Sequence, residues 1–365
     1  MMENKLLVGI AHGDVNSVSY ELIIKLMLEN KLCEVCTPVL FGSSKAAAYH
    51  RKALNIEGFA LNSIQHPEDA NAKRCNVINV TDDAVKVDLG RETRDSDEAA
   101  MLALRAALDC LDAGRIDVLA AAPQGCASFQ EVGGWVNFLS KRYDRHVMPL
   151  YVGEKLKLGF LTAGIPFREI MGCITADAVY DGLALLDSTL KMDFTIRRPR
   201  IAVLGLNPYA GDGGYCGEEE KAILAPALGK ARNAGIMALG PFSPEALFTG
   251  DVFEKFDAVL ALYHGQGSAL FRALEGYGGA VLFAGLPAVI TTTAHGTAYD
   301  VVGKGMADDF GLRKAVYTAI DVLRNRKMNA ELKANPLKHY NVAANSNETD
   351  MNVDQIAGVE KEKEE

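Results

Sequence analysis

The sequence predicts an α/β protein: a mixed or parallel sheet with helices covering both faces. Three observations carry this. Short apolar runs rich in Val, Ile and Leu recur along the chain, helical patterns lie between them, and loop residues suited to ligand binding follow the runs. Strands apolar throughout are those buried on both faces. A chain of 365 residues is long enough for two domains or one large α/β body.

The elements read in order as follows. "KLLVGIA" is a strand, "YELIIKLMLE" an amphipathic helix, "VCTPVLFGS" a second strand and "KAAAYHRKAL" a second helix. Later strands are "IDVLAAAP", "LKLGFLTAG", "RIAVLGLNP" and "DAVLALYHG", separated by helical segments such as 95–112 and 218–233. In such sheets ligands gather beyond the carboxyl ends of strands. The chemically interesting segments stand there: "AHGD", "AAPQGC", "TAGIPF", "NPYAGDGG", "YHGQGS" and "HGTAYDVVGKG". From Met328 the chain turns polar and nearly free of aromatics, so 328–365 reads as a disordered tail.

Composition excludes several classes. A net charge of −9 leaves no basic stripe to displace counterions from nucleic acid, and it disfavours an anionic membrane surface. No apolar run approaches the roughly 20 residues needed to span a bilayer. The chain enters a strand within a few residues of Met1, which argues against a signal or transit peptide and for a cytoplasmic protein. Seven scattered cysteines suit thiols in a reducing compartment better than a disulfide framework. Cys33-Glu-Val-Cys36 has redox-motif spacing but no second pair to complete a zinc site, and it reads as packing.

His264 stands at a strand end beside two glycines, placed for a ligand or a general acid/base. A hydrogen-bonded loop histidine is the plainer reading of the same position. Arg272, eight residues on, offers a planar fork for phosphate or carboxylate, or is an ordinary surface arginine. His295 is followed by Gly296, Thr297 and Ala298, small residues that let backbone N–H groups approach a ligand. Asp300 and Lys304 could meet a ribose and a phosphate. The first βα unit lacks G-x-G-x-x-G and offers only Gly13, with Asp14 and Glu21 as acids. The first five candidate loops supply two histidines, His12 and His264, too few to converge on a tightly held metal.

Jointly, and in this order and spacing, "GIAHGD", "IDVLAAAP", "GLNPYAGDGG", "YHGQG" and "AGLPAVITTTAHGTAYDVVGKG" resemble the 4-hydroxythreonine-4-phosphate dehydrogenases of vitamin B6 biosynthesis. The resemblance covers residues 5 to about 327. It implies an isocitrate/isopropylmalate dehydrogenase-like subunit, with two interleaved α/β subdomains over 1–327 around a central cleft. It also implies a homodimer sharing its active site, an NAD cofactor, a divalent metal, and a small phosphorylated or hydroxy-acid ligand. The implied chemistry is oxidation of a secondary alcohol followed by decarboxylation.

Carried over residue by residue, the family's three metal histidines correspond to Gly164 in "LTAGIPF", Tyr209 in "LNPYAG" and His264 in "YHGQG". Only His264 is kept as a ligand, and Gly265 replaces the neighbouring aspartate. The implied catalytic set is His264, Arg272 at the family's lysine, and Tyr209. Where a "GHTE" clamp is expected the chain reads "GGWVNFLSKRY"; Val281 and Ile290 stand for an asparagine and an arginine. The cofactor segment His295, Gly296, Thr297, Ala298 and Asp300 is intact. Three readings stay open: a working enzyme of the family, a metal-independent NAD oxidoreductase on another substrate, and a non-catalytic binding or regulatory paralogue, alone or paired with an active relative.

Overall fold

The computed structural model describes residues 5–28, 31–81 and 85–334. β1 (Leu7–Ala11) leads to α1 (Ser19–Met27) and α2 (Leu32–Val35), then to β2 (Thr37–Gly42) and α3 (Ser44–Ala53). β3 (Asn62–Ile64) and β4 (Asn76–Asn79) precede the long α4 (Arg94–Asp112), followed by β5 (Val118–Ala121) and α5 (Gly134–Tyr143). β6 (Met148–Val152) and β7 (Lys157–Thr162) form a hairpin before α6 (Phe167–Cys173), α7 (Ala176–Asp193) and β8 (Arg200–Leu204). Then come α8 (Ala225–Asn233), β9 (Met237–Phe242), α9 (Pro244–Phe248), β10 (Ala258–Tyr263) and α10 (His264–Glu275). β11 (Ala280–Ala284), β12 (Ile290–Thr293) and α11 (Phe310–Ala334) complete the chain.

Local chemistry starts these helices. Ser43, Thr93, Thr175 and Ser243 each accept a hydrogen bond from the backbone N–H three residues on, satisfying an orphan donor at the N-terminus. In α4 the buried Ala100, Ala103, Leu104, Ala107, Leu108 and Leu111 recur at helical spacing, a single apolar face.

The strands join one sheet in the order β3-β4-β2-β1-β5-β12-β11-β6-β7-β10-β8-β9. From β3 through β12 the neighbours are parallel, and from β7 through β9 they are parallel again. Between the two blocks, β11 is antiparallel to β12 and to β6, and β6 is antiparallel to β7. An odd number of reversals separates the blocks, so they run in opposite directions. The loops after β1, β5 and β12 therefore leave one edge of the sheet, and those after β7, β8 and β10 leave the other. The mixed α/β sheet is the one expected, but the candidate loops fall into two groups.

Burial on both faces explains the apolar runs. In β10, Leu260 and Leu262 enter one core cluster, whereas Val259 and Ala261 enter the other. Arg326 binds Asp193 through both carboxylate oxygens, at 2.7 and 2.8 Å, and donates to Leu286 O, which pins α11 to α7. The chain divides into units 1–326 and 327–365. Within the second, α11 continues through the good helix formers "MNAELKA" to Ala334, past the expected start of the tail at Met328. The rest of that tail lies outside the described residues.

Candidate functional site

His264 is placed by the junction of β10 and α10. Tyr263 is extended, and His264 is the first helical residue. Gly267 lets the helix sit close to the sheet: a Cβ there would come within 2.7 Å of Leu158 and 2.8 Å of Phe160. Gln266 fastens the turn by accepting from Leu262 N at 2.9 Å and donating to Gly205 O at 2.5 Å. It thus ties the loop after β8 to the start of α10. At the other end of the helix, Glu275 accepts the N–H groups of Glu154, Lys155 and Leu156 in the β6–β7 turn.

The imidazole Nε2 of His264 lies 3.4 Å from the Tyr151 hydroxyl. Phe160 and Phe271 pack edge-on against the Tyr151 ring, at 4.9 and 5.2 Å. Burial, with Arg272 adding to it, holds the His264 pKa below its usual value, so the ring is neutral at pH 7. Burial raises the Tyr151 phenol, and Arg272 opposes that shift. Arg272 itself donates to Gly276 O at 2.9 Å. The arrangement is a neutral base beside a protonated phenol, with a guanidinium within electrostatic reach.

Gly164 and His264 share a cavity of about 320 Å³, lined otherwise by Thr162, Phe167, Ile170 and Tyr263 among others. Thr162 already donates its hydroxyl to Leu262 O, so His264 is the only titratable side chain in the lining apart from the Tyr263 phenol. Gly164 has φ +73°, and nothing stands within 4 Å of where a Cβ would be. Tyr209 does not join the cavity lining. It is 71% exposed, and the segment 209–213 runs through five consecutive left-handed residues. Buried Glu220 holds that loop by accepting Leu206 N and Asn207 N at 2.8 Å, and the Asn207 side chain at 2.9 Å.

These donors do not fit a divalent metal. The three positions supply one imidazole, an exposed phenol and no side chain, and a structural or catalytic ion needs at least three protein ligands. No group of three His, Cys, Asp or Glu among the described residues could hold an ion. The clamp segment "GGWVNFLSKRY" folds as α5, where Trp135 packs 4.7 Å from Phe129 and 5.1 Å from Phe283. Val281 and Ile290 are buried in β11 and β12. Two positions matched to polar substrate contacts, Val281 and Ile290, are thus apolar here, whereas Arg272 keeps a charge.

The opposite edge is densely bonded. Asp14 accepts the Tyr299 hydroxyl and its own loop's Asn16 N–H, and Val18 N donates to Thr297 O. Glu21 accepts Ala307 N and Lys25 Nζ. His12 is fully buried and stacked 5.4 Å from Tyr20; burial pushes its pKa down to about 4. His295 has its Nδ1 2.9 Å from Gly296 O, while its Nε2 is buried with no partner among the described residues. Arg272 and burial both lower the His295 pKa. Ala298 adopts φ +45°, and Asp300 is exposed, its carbonyl accepting from Lys304.

The structure thus brings together Gly164 and His264, and links Arg272 electrostatically to both His264 and His295. Tyr209 stands apart. Tyr151, Gln266, Glu220 and the Asp14–Tyr299 pair were not singled out from the sequence. Gln266 and Tyr299 lay inside noted segments, but Tyr151 is an unremarked residue of a strand, "MPLYV".

Comparison with known proteins agrees with the fold. A family profile described as pyridoxal phosphate biosynthetic protein PdxA matches residues 34–319. A 4-hydroxythreonine-4-phosphate dehydrogenase of Bacteroides thetaiotaomicron is 40% identical over 345 residues, 93% of this chain and 94% of that protein. The enzyme of that name from Desulforapulum autotrophicum is 30% identical over 87% of this chain and 96% of its own. Among solved structures, the Klebsiella pneumoniae 4-hydroxythreonine-4-phosphate dehydrogenase superposes with a TM-score of 0.73 at 26% identity, covering 88% of this chain and all of that one. On fold and sequence together, the chain belongs to the PdxA family.

Proposed function

We propose that this chain is a divergent PdxA-family protein that has lost the metal-assisted oxidation of 4-hydroxythreonine 4-phosphate while keeping a dinucleotide segment. One observation carries the reading: of the three positions matched to metal ligands, Gly164 offers no donor, Tyr209 faces solvent and only His264 remains. Removing one well-placed electrostatic stabiliser costs about 100- to 1,000-fold in rate. Losing two ligands of one ion removes the ion.

The cofactor segment supports retained binding of NAD. His295, with an unpartnered buried Nε2, the open backbone at Gly296, and the Thr297, Ala298 and Asp300 that follow would hold the nucleotide. When bound, NAD would supply a hydride acceptor. The proposal includes the cytoplasmic, two-subdomain homodimer of the family, or a heterodimer with an active paralogue. Calorimetric titration of NAD with and without zinc tests it. Micromolar binding unchanged by zinc is expected, and zinc-stimulated NAD reduction with 4-hydroxythreonine 4-phosphate would overturn it.

The Tyr151–His264 contact favours a second reading, a metal-independent oxidoreductase on a less charged alcohol. There the neutral His264 would take the alcohol proton, with Arg272 favouring the developing negative charge. His264→Ala should then abolish turnover with any substrate found, and an unchanged rate would exclude this reading.

A further inference from the structure

The sequence pairs Cys33 with Cys36 by spacing, but the fold gives Cys33 a different neighbour. Cys33 lies in α2 and Cys75 immediately before β4, and their sulfurs approach to 3.9 Å across a separation of 42 residues. Cys36 Sγ instead points back to Leu32 O at 3.6 Å. All three thiols belong to one buried apolar cluster. We propose that Cys33 and Cys75 are an oxidisable pair that forms a disulfide, cross-linking α2 to the start of β4.

The geometry asks little of the backbone. A disulfide needs its sulfurs at about 2 Å, so the side chains must close a gap of under roughly 2 Å from their present contact. Space lies beside Cys75 rather than at either sulfur. Cys75 Sγ lies 3.6 Å from Met27 O, and Met27 and Arg74, the residue before Cys75, line a cavity of about 280 Å³ with Phe59 and Leu61. A peroxide molecule is small enough to enter it, and reaching Cys33 from there requires the side chains between to move.

Cys33 is the attacking sulfur. Lys5 donates to its carbonyl at 2.6 Å and favours its thiolate, against the burial that raises all three thiols. In the first step the Cys33 thiolate attacks one oxygen of hydrogen peroxide, breaking the O–O bond to give a sulfenic acid and hydroxide, which takes up the thiol proton as water. In the second, Cys75 sulfur attacks the sulfenic sulfur, its proton leaving with the hydroxyl as water. Two thiols and one peroxide become one disulfide and two waters. Burial of the thiols makes the first step slow relative to an exposed cysteine.

The bridge would close a 42-residue loop containing β2, α3 and β3. Such a closure restrains the unfolded chain and stabilises the fold. The test is to treat the full-length protein with hydrogen peroxide, quench with an alkylating reagent, digest without reduction and map linked peptides by mass spectrometry. The exposed Cys126 and Cys173 report that the oxidant acted. The expected product is a Cys33–Cys75 peptide, with a thermal midpoint that rises on oxidation and returns with dithiothreitol. Cys36→Ser should keep the link and Cys75→Ser should remove it. Recovery of Cys33 and Cys75 fully alkylated after Cys126 and Cys173 have reacted, or a Cys33–Cys36 link instead, would overturn the proposal.

Discussion

The two edges of the sheet have fared differently. At the edge holding the loops after β7, β8 and β10, a glycine faces open space, a tyrosine faces solvent and one histidine remains beside an apolar cavity. At the edge after β1 and β12, Asp14, Asn16, Glu21 and Tyr299 lock three loops together through partly buried hydrogen bonds. A residue that serves only a ligand can be lost without harm to folding, whereas a residue that satisfies buried backbone groups cannot. The retained segment "AHGTAYDVVGKG" is thus needed for packing whether or not a nucleotide binds it.

The largest expected effect tests the emptied edge. Gly164→His should raise zinc affinity about a hundred-fold, or about 3 kcal/mol, because that position shares a cavity with His264. Zinc titration measures it; adding Tyr209→His should change little further, because that residue lies outside the lining, and an unchanged affinity in Gly164→His would show that the two cavity positions do not converge.

The locked edge should fail in acid through His12. The unfolded imidazole protonates near its ordinary value and the buried one only near pH 4. Protons therefore favour unfolding as pH falls from about 6.5 to 4, and stability should drop by up to about 3 kcal/mol over that window. Urea unfolding as a function of pH measures the loss, and His12→Gln should flatten it.

Asp14→Ala should cost about 2 kcal/mol by leaving the Tyr299 hydroxyl and Asn16 N–H unpaired. By contrast, His264→Ala should stay within about 0.5 kcal/mol in the same assay, because its partly exposed imidazole satisfies no buried backbone group. Equal losses at the two sites would erase the comparison. Tyr209→Gly should act in the opposite direction, stabilising by about 1 kcal/mol because φ +54° strains any residue with a Cβ. Thermal denaturation would detect it.

Strands β1, β2, β5, β7, β8 and β10, the longer helices and the identity of the loop residues were legible in the sequence, because periodicity and turn chemistry are local; β3, β4, β6, β9 and β11 were not read from it. That Gly164 and Tyr209 stand where the family has ligands is a reading of its motifs, and the proposed function rests on it. Tyr151 was not: its 113-residue separation from His264 leaves no local trace. The same holds for Cys33, whose sequence neighbour Cys36 is not the thiol it touches.

By itself, then, the sequence determined an α/β fold of the PdxA family. Only the tertiary structure decided which loops share an edge, because strand direction is set by pairing. The antiparallel β11 and β6 reverse the sheet at its middle, and no pattern within either strand reports which way its neighbour runs.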